Sequence, residues 1–211
     1  MIRRLWRGYV HTVAFKERTL RAVMPARMHF VHYSWPLRAD LCPCDVDFCD
    51  YLRDRGIRER WIFHLGTGGH HLVGLRNQAD GLQNDILGLT AAPKEHAGYV
   101  KKVIRDPSLA RHYKVLFADL FSLSAGCLPA FNIITLFHLG EFSDASGSGR
   151  RLNLEQAFEL FYAKMLPGGD MLFYPRSYGY SEVRPLIEAA VRAGRLSLVE
   201  TYRSLDIYRV P

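Results

Sequence analysis

Three histidines crowd one short stretch of this chain. His64 ends the apolar run Ile62-Phe63-His64-Leu65, and His70 and His71 close the glycine-dense turn Gly66-Thr67-Gly68-Gly69. A fourth, His138, follows the apolar segment Phe131–Phe137, with Glu141 three residues further on. A neutral imidazole accepts a proton near pH 7 or ligates a metal, and a nearby carboxylate fixes which ring nitrogen does so. His138 is therefore read as a general base and Glu141 as the group that orients it. Cys42 and Cys44 are possible partners in a metal site. Cys42-Pro43-Cys44 lacks the two-residue spacer of strong zinc motifs, however, and no metal is assigned.

These residues need a scaffold, and the glycine turn indicates its type. An apolar strand, a tight glycine turn and a helix N-terminus form the opening of a nucleotide-binding α/β unit. The same alternation continues along the chain. Strands are expected at Trp61–Leu65, Asp85–Leu89, Tyr113–Ala118, Phe131–Phe137 and Asp170–Tyr174. Helices are expected from about His71, from Pro93 to about Arg105, over Leu154–Leu166 and over Glu182–Ala193. An earlier helix ends at Arg55, with Asp45 as its N-cap. Leu196–Tyr202 and Leu205–Val210 are so close together that they must form an antiparallel hairpin. The expected fold is α/β: a doubly wound, mostly parallel, seven-stranded Rossmann-like sheet with a terminal antiparallel hairpin and an N-terminal helical extension. Its first and fourth strands are neighbours, so His64, His70, His71 and His138 converge on one mouth.

Charge and composition set the class. The chain has 211 residues, 48% of them hydrophobic, which is ample for one core. Residues 1–44 are read as a basic extension and residues 45–211 as the domain. Six of the seven net positive charges lie in residues 1–30, so the body is near neutral and no nucleic-acid partner is expected. Residues 2–24 have helical amphipathy, with Ile2, Leu5, Trp6, Tyr9 and Val13 opposite Arg3, Arg4, Arg7 and Arg18. That face covers the domain, lies on an anionic membrane surface or grips an acidic partner. No transmembrane run or secretory signal is read, and four cysteines are too few for a disulfide scaffold, so a cytoplasmic location is expected, with peripheral membrane contact through residues 1–24.

Five segments in order carry a family resemblance: Phe63-His64-Leu65-Gly66-Thr67-Gly68, Ile86-Leu87-Gly88-Leu89-Thr90, Val115–Leu120, Phe131–His138, and Met165-Leu166-Pro167-Gly168-Gly169 with Met171–Phe173. Residues 45–211 resemble a class I S-adenosylmethionine-dependent methyltransferase. The resemblance implies S-adenosylmethionine as cofactor, held by His64, Gly66, Thr67, Gly68, Thr90 and Asp119, with His138 and Glu141 near the methyl group. It implies methyl transfer to a small-molecule or membrane-associated acceptor. The alternative is a relative that has lost the cofactor and serves interaction, and behind it a histidine-rich metal enzyme. Departures from the family pattern are specific. His64 stands where an acid is usual, His70 where a third glycine often falls, and Asn132 where Asp is common. Thr90 replaces the carboxylate that accepts from both ribose hydroxyls. The sequence has no GxSxG elbow, no Walker lysine and no dehydrogenase glycine spacing, so those classes fall away.

Overall fold

The computed structural model describes residues 33–142 and 152–211. The amphipathic segment 2–24 and the loop expected at Ser143–Gly149 lie outside the described residues. The elements in chain order are α1 (Cys44–Asp54), β1 (Trp61–Leu65), α2 (Leu72–Ala79), β2 (Asp85–Thr90), α3 (Pro93–Arg105), α4 (Leu109–His112) and β3 (Tyr113–Phe117). They continue as β4 (Phe131–Thr135), α5 (Leu154–Tyr162), β5 (Met165–Phe173), α6 (Tyr180–Arg192), β6 (Ser197–Tyr202) and β7 (Leu205–Arg209).

The seven strands form one sheet in the order β3-β2-β1-β4-β5-β7-β6. The first five are parallel, and β7 is antiparallel to both of its neighbours. The expected topology therefore holds, with small shifts at element ends. The fifth strand starts early: Met165 already pairs with Phe131, and the ladder slips between Phe131 and Ile133 before Asp170. The Pro167-Gly168-Gly169 turn is thus an irregularity within a strand. The helix expected to reach Leu166 stops at Tyr162.

Period-two alternation sends side chains of each strand to two cores. Phe63, Ile134, Met171 and Phe173 pack with Phe158 and Phe161 of α5 and Ile187 of α6. Ile62, Ile86, Ile133 and Leu172 pack on the other face with Phe48 and Leu52 of α1 and Val73 of α2. His64 shares the second face with Ile62 by the same alternation, and Phe48 stacks on its ring. The chain order reverses between β1 and β4, which opens the crevice where doubly wound sheets bind ligands.

Residues 33–43 run across this crevice. The Gly69 amide donates to the Trp35 carbonyl (2.9 Å), and the Trp35 amide donates to Glu95 Oε1 (3.1 Å). α1 begins at Cys44, and the preceding residues 33–43, the last part of the expected extension, are bonded to the glycine turn. Among the described residues, no helix is long and apolar enough to cross a membrane.

Candidate active site at the mouth of β1 and β4

The glycine turn leaves β1 with Gly66 at φ +84° and Gly68 at φ +55°, backbone conformations that glycine adopts without strain. A Cβ on Gly68 would sit 2.3 Å from His70 Nε2, so that glycine also makes room for the His70 ring to fold back over the turn. The Leu72 amide donates to His70 Nδ1 (3.2 Å), which leaves Nε2 toward Asp45. Thr67 is buried with its methyl against Gly88, so its side chain faces the sheet and only its backbone remains for a ligand.

Asp45 is the hub of the mouth. Its position in the first turn of α1 puts it on the stripe that Cys44, Phe48 and Leu52 bury. It makes no capping bond; Pro43 holds the N-cap position. Instead its carboxylate lies 3.6 Å from His64 Nε2 and 3.6 Å from His70 Nε2. Burial raises its pKa to about 7. His64 is held from the other side by Thr135 Oγ1 (2.8 Å), its register partner on β4. Its Nε2 is buried without a hydrogen-bond partner among the described residues. Burial pulls this imidazole down to about 3, so it is neutral.

Beside Asp45, Cys42, Cys44 and His138 meet. The two sulfurs are 3.5 Å apart, and His138 Nε2 lies 3.7 Å from Cys42 Sγ and 3.6 Å from Cys44 Sγ. His138 Nδ1 faces Glu141 Oε1 at 3.1 Å across a 3-10 turn. The same carboxylate accepts from Ser177 Oγ (2.7 Å) and the Tyr178 amide (3.2 Å). The expected His138–Glu141 contact is therefore present, but its electrostatics differ from those of a neutral base. Burial opposes the charge on His138, yet the hydrogen bonds it donates to Cys42 and Glu141 hold its pKa at about 10. The neighbouring Cys44 thiol and His138 bring Cys42 down to about 5. Both shifts favour a Cys42 thiolate beside a charged His138, whereas a general base needs the neutral imidazole.

One further expectation is corrected. His71 does not reach the mouth. Its ring is buried between the Tyr113 hydroxyl (3.0 Å) and the Glu95 carbonyl (2.9 Å), where burial pulls its pKa to about 4. Thr90, expected at the ribose, has its one proton engaged: its hydroxyl donates to Glu95 Oε2 (2.7 Å) and accepts from the Ala92 amide (3.0 Å). The carboxylate missing from the end of β2 arrives five residues later on α3, as buried Glu95. Asp119 lies at the end of β3, where Oδ1 accepts from the Phe121 amide (3.1 Å). Asp45 was legible only as a helix cap, and Glu95 only as one residue of the helix that Pro93 opens. Glu95 lies five residues beyond Thr90, and that spacing was the available signal.

No protein-family model and no curated protein matches the sequence. Solved structures do match the fold. An O-methyltransferase family protein from Burkholderia thailandensis is 13% identical with a TM-score of 0.52; the match covers 79% of this chain and 55% of that one, little more than half its length. The N-methyltransferase NodS from Bradyrhizobium japonicum WM9, in complex with S-adenosyl-L-homocysteine, is 15% identical with a TM-score of 0.54, covering 83% of this chain and 92% of that one. The cyclase SpnF is 19% identical with a TM-score of 0.53, covering 85% of this chain and 67% of that one. The chain has the fold of the class I S-adenosylmethionine-dependent methyltransferases.

Proposed function

We propose that this protein binds S-adenosylmethionine in the crevice between β1 and β4 and transfers its methyl group to a small-molecule acceptor. The observation that carries this reading is the turn after β1. Two glycines there hold left-handed backbone at the switch point of the sheet, and the buried His64 Nε2 lacks a partner at the same mouth. When bound, the cofactor supplies an already activated methyl on a sulfonium, so the protein has mainly to align groups and accept a proton. Gly66 and Gly68 would take the methionine end by backbone contact, Glu95 the ribose in place of Thr90, and Asp119 the adenine.

Asp45 is the group we assign to the acceptor's proton, in place of His138. It lies between His64 and His70 over the turn, and a carboxyl group raised to a pKa of about 7 is poised to take up a proton near neutral pH. Residues 33–43 would cover the filled crevice and exclude water. The membrane-linked acceptor rests on residues 1–24, outside the described residues, and is not carried further.

A second reading has its own support. The Trp35 amide occupies Glu95, and the Trp35 carbonyl is held by Gly69, as in a relative whose crevice has been closed for good. Titration calorimetry of the full chain with S-adenosylmethionine and S-adenosylhomocysteine separates the two. Micromolar binding that weakens in Asp119→Ala and Glu95→Gln is expected of the enzyme. No heat at millimolar ligand would leave the closed crevice as the reading.

A further inference from the structure

Cys42, Cys44 and His138 have the dimensions of a metal site. Around a tetrahedral zinc ion, with Zn–S about 2.3 Å and Zn–N about 2.0–2.1 Å, sulfurs lie about 3.8 Å apart and sulfur and nitrogen about 3.5 Å apart. The three separations in this structure are 3.5, 3.7 and 3.6 Å. The three donor atoms come from two parts of the chain 94 residues apart, so local sequence does not force them together.

The surroundings are built as a metal site requires. His138 presents Nε2 to the two sulfurs because Nδ1 is engaged by Glu141, the carboxylate–histidine arrangement that orients a ligating ring. Glu141 is itself fixed by Ser177 Oγ and the Tyr178 amide. Pro43, at φ −80°, is the rigid single spacer that keeps both thiols on one side of the α1 N-terminus. Cys44 is buried in the core, and Cys42 and His138 are partly open toward the mouth.

We infer that Cys42, Cys44 and His138 ligate a zinc ion at the mouth of the crevice, with Glu141 as the positioning residue for His138. Two thiolates and an imidazole are a donor set that zinc accepts and magnesium or calcium does not. Zinc takes cysteine as thiolate and histidine as the neutral ring, so the protons these groups hold leave on loading and metal uptake releases protons. Three protein ligands leave the fourth position for water or for an oxygen or sulfur of an acceptor. This site does not depend on the methyl-transfer reading.

The test uses the full chain, reduced and without a histidine tag. Elemental analysis is expected to give one zinc per chain, and Cys42→Ser less than a tenth of that. Cobalt(II) added to the metal-free protein is expected to give a sulfur-to-cobalt charge-transfer band and intense tetrahedral d–d bands. In Glu141→Gln the same bands should appear with affinity about 10–100-fold weaker, as for loss of a ligand's carboxylate partner. Wild-type protein that takes up neither zinc nor cobalt, or a Cys42→Ser variant that keeps the full cobalt spectrum, overturns the assignment. A Cys42–Cys44 disulfide in protein isolated without oxidant would overturn it as well. Calorimetry with S-adenosylhomocysteine on the metal-free chain fails or succeeds independently of these outcomes.

Discussion

Gly140 and Gly179 meet backbone to backbone, and that contact sets the position of Glu141. A Cβ on Gly140 would lie 2.0 Å from the Gly179 carbonyl oxygen, and one on Gly179 would lie 2.2 Å from the Gly140 carbonyl carbon. Gly179 has φ −87°, so space rather than backbone conformation demands glycine there. In Gly140→Ala the two loops must part by about 1 Å or more, since neither side of the clash is a flexible side chain that can swing away, and overpacking of this kind costs about 1–3 kcal/mol. In a chain of this size that lowers Tm by roughly 3–10 °C. The bonds from Ser177 and Tyr178 to Glu141 span the same junction, so His138 should lose part of its support. Urea unfolding followed by circular dichroism, with the midpoint lowered and the slope unchanged, is the assay. A Gly140→Ala midpoint equal to that of the wild type would refute the close approach, and with it the geometric account of how Glu141 is held.

Two more outcomes are expected. The folded chain holds His71 neutral with a pKa of about 4, against about 6.5 when unfolded, so between those values the unfolded chain takes up the extra proton. Stability is therefore full above pH 6.5 and falls as pH drops toward 4, by roughly 1–2 kcal/mol at this site after allowance for solvent screening. His71→Asn, which tolerates the φ of +53°, should show a smaller fall in urea midpoint between pH 7 and pH 5; equal falls would sink the assignment. Cofactor binding must free Glu95 from Trp35, so amide exchange at Trp35 and Gly69 should quicken with S-adenosylhomocysteine. Unchanged protection with ligand bound would mean that the crevice is filled without moving residues 33–43.

Much of this fold was readable because parallel strands announce themselves. Ile62–Leu65, Ile86–Leu89 and Ile133–Thr135 are short apolar runs bounded by turns, and the close spacing of the last two segments required a hairpin. The His138–Glu141 contact was readable for a similar reason: three residues separate them, and one helical turn closes the gap. What was hidden is whatever depends on helix phase. Asp45 looks like a cap beside Pro43, and one step of rotation decides whether it points to solvent or to His64. His70 and His71 are adjacent, yet the left-handed residue at the helix start sends one ring over the turn and the other beneath α3.

Two of the departures from the family pattern, His64 and Thr90, each stand beside an acid brought in by a helix. An acid at position 64 would face Asp45 across a buried gap of under 4 Å, and two buried carboxylates at that distance cannot both stay ionised. With Asp45 brought in by α1, a neutral imidazole at 64 suits the site better than an acid: it accepts or donates at Thr135 and keeps a second nitrogen toward the carboxylate. Glu95 does the same for Thr90, supplying from α3 the charge that β2 lacks, with the Thr hydroxyl as its donor. Asp45 and Glu95 both lie in the first turn of a helix, where the helix dipole favours a negative charge. The same α1 N-terminus that places Asp45 beside His64 carries Cys42 and Cys44 within reach of His138.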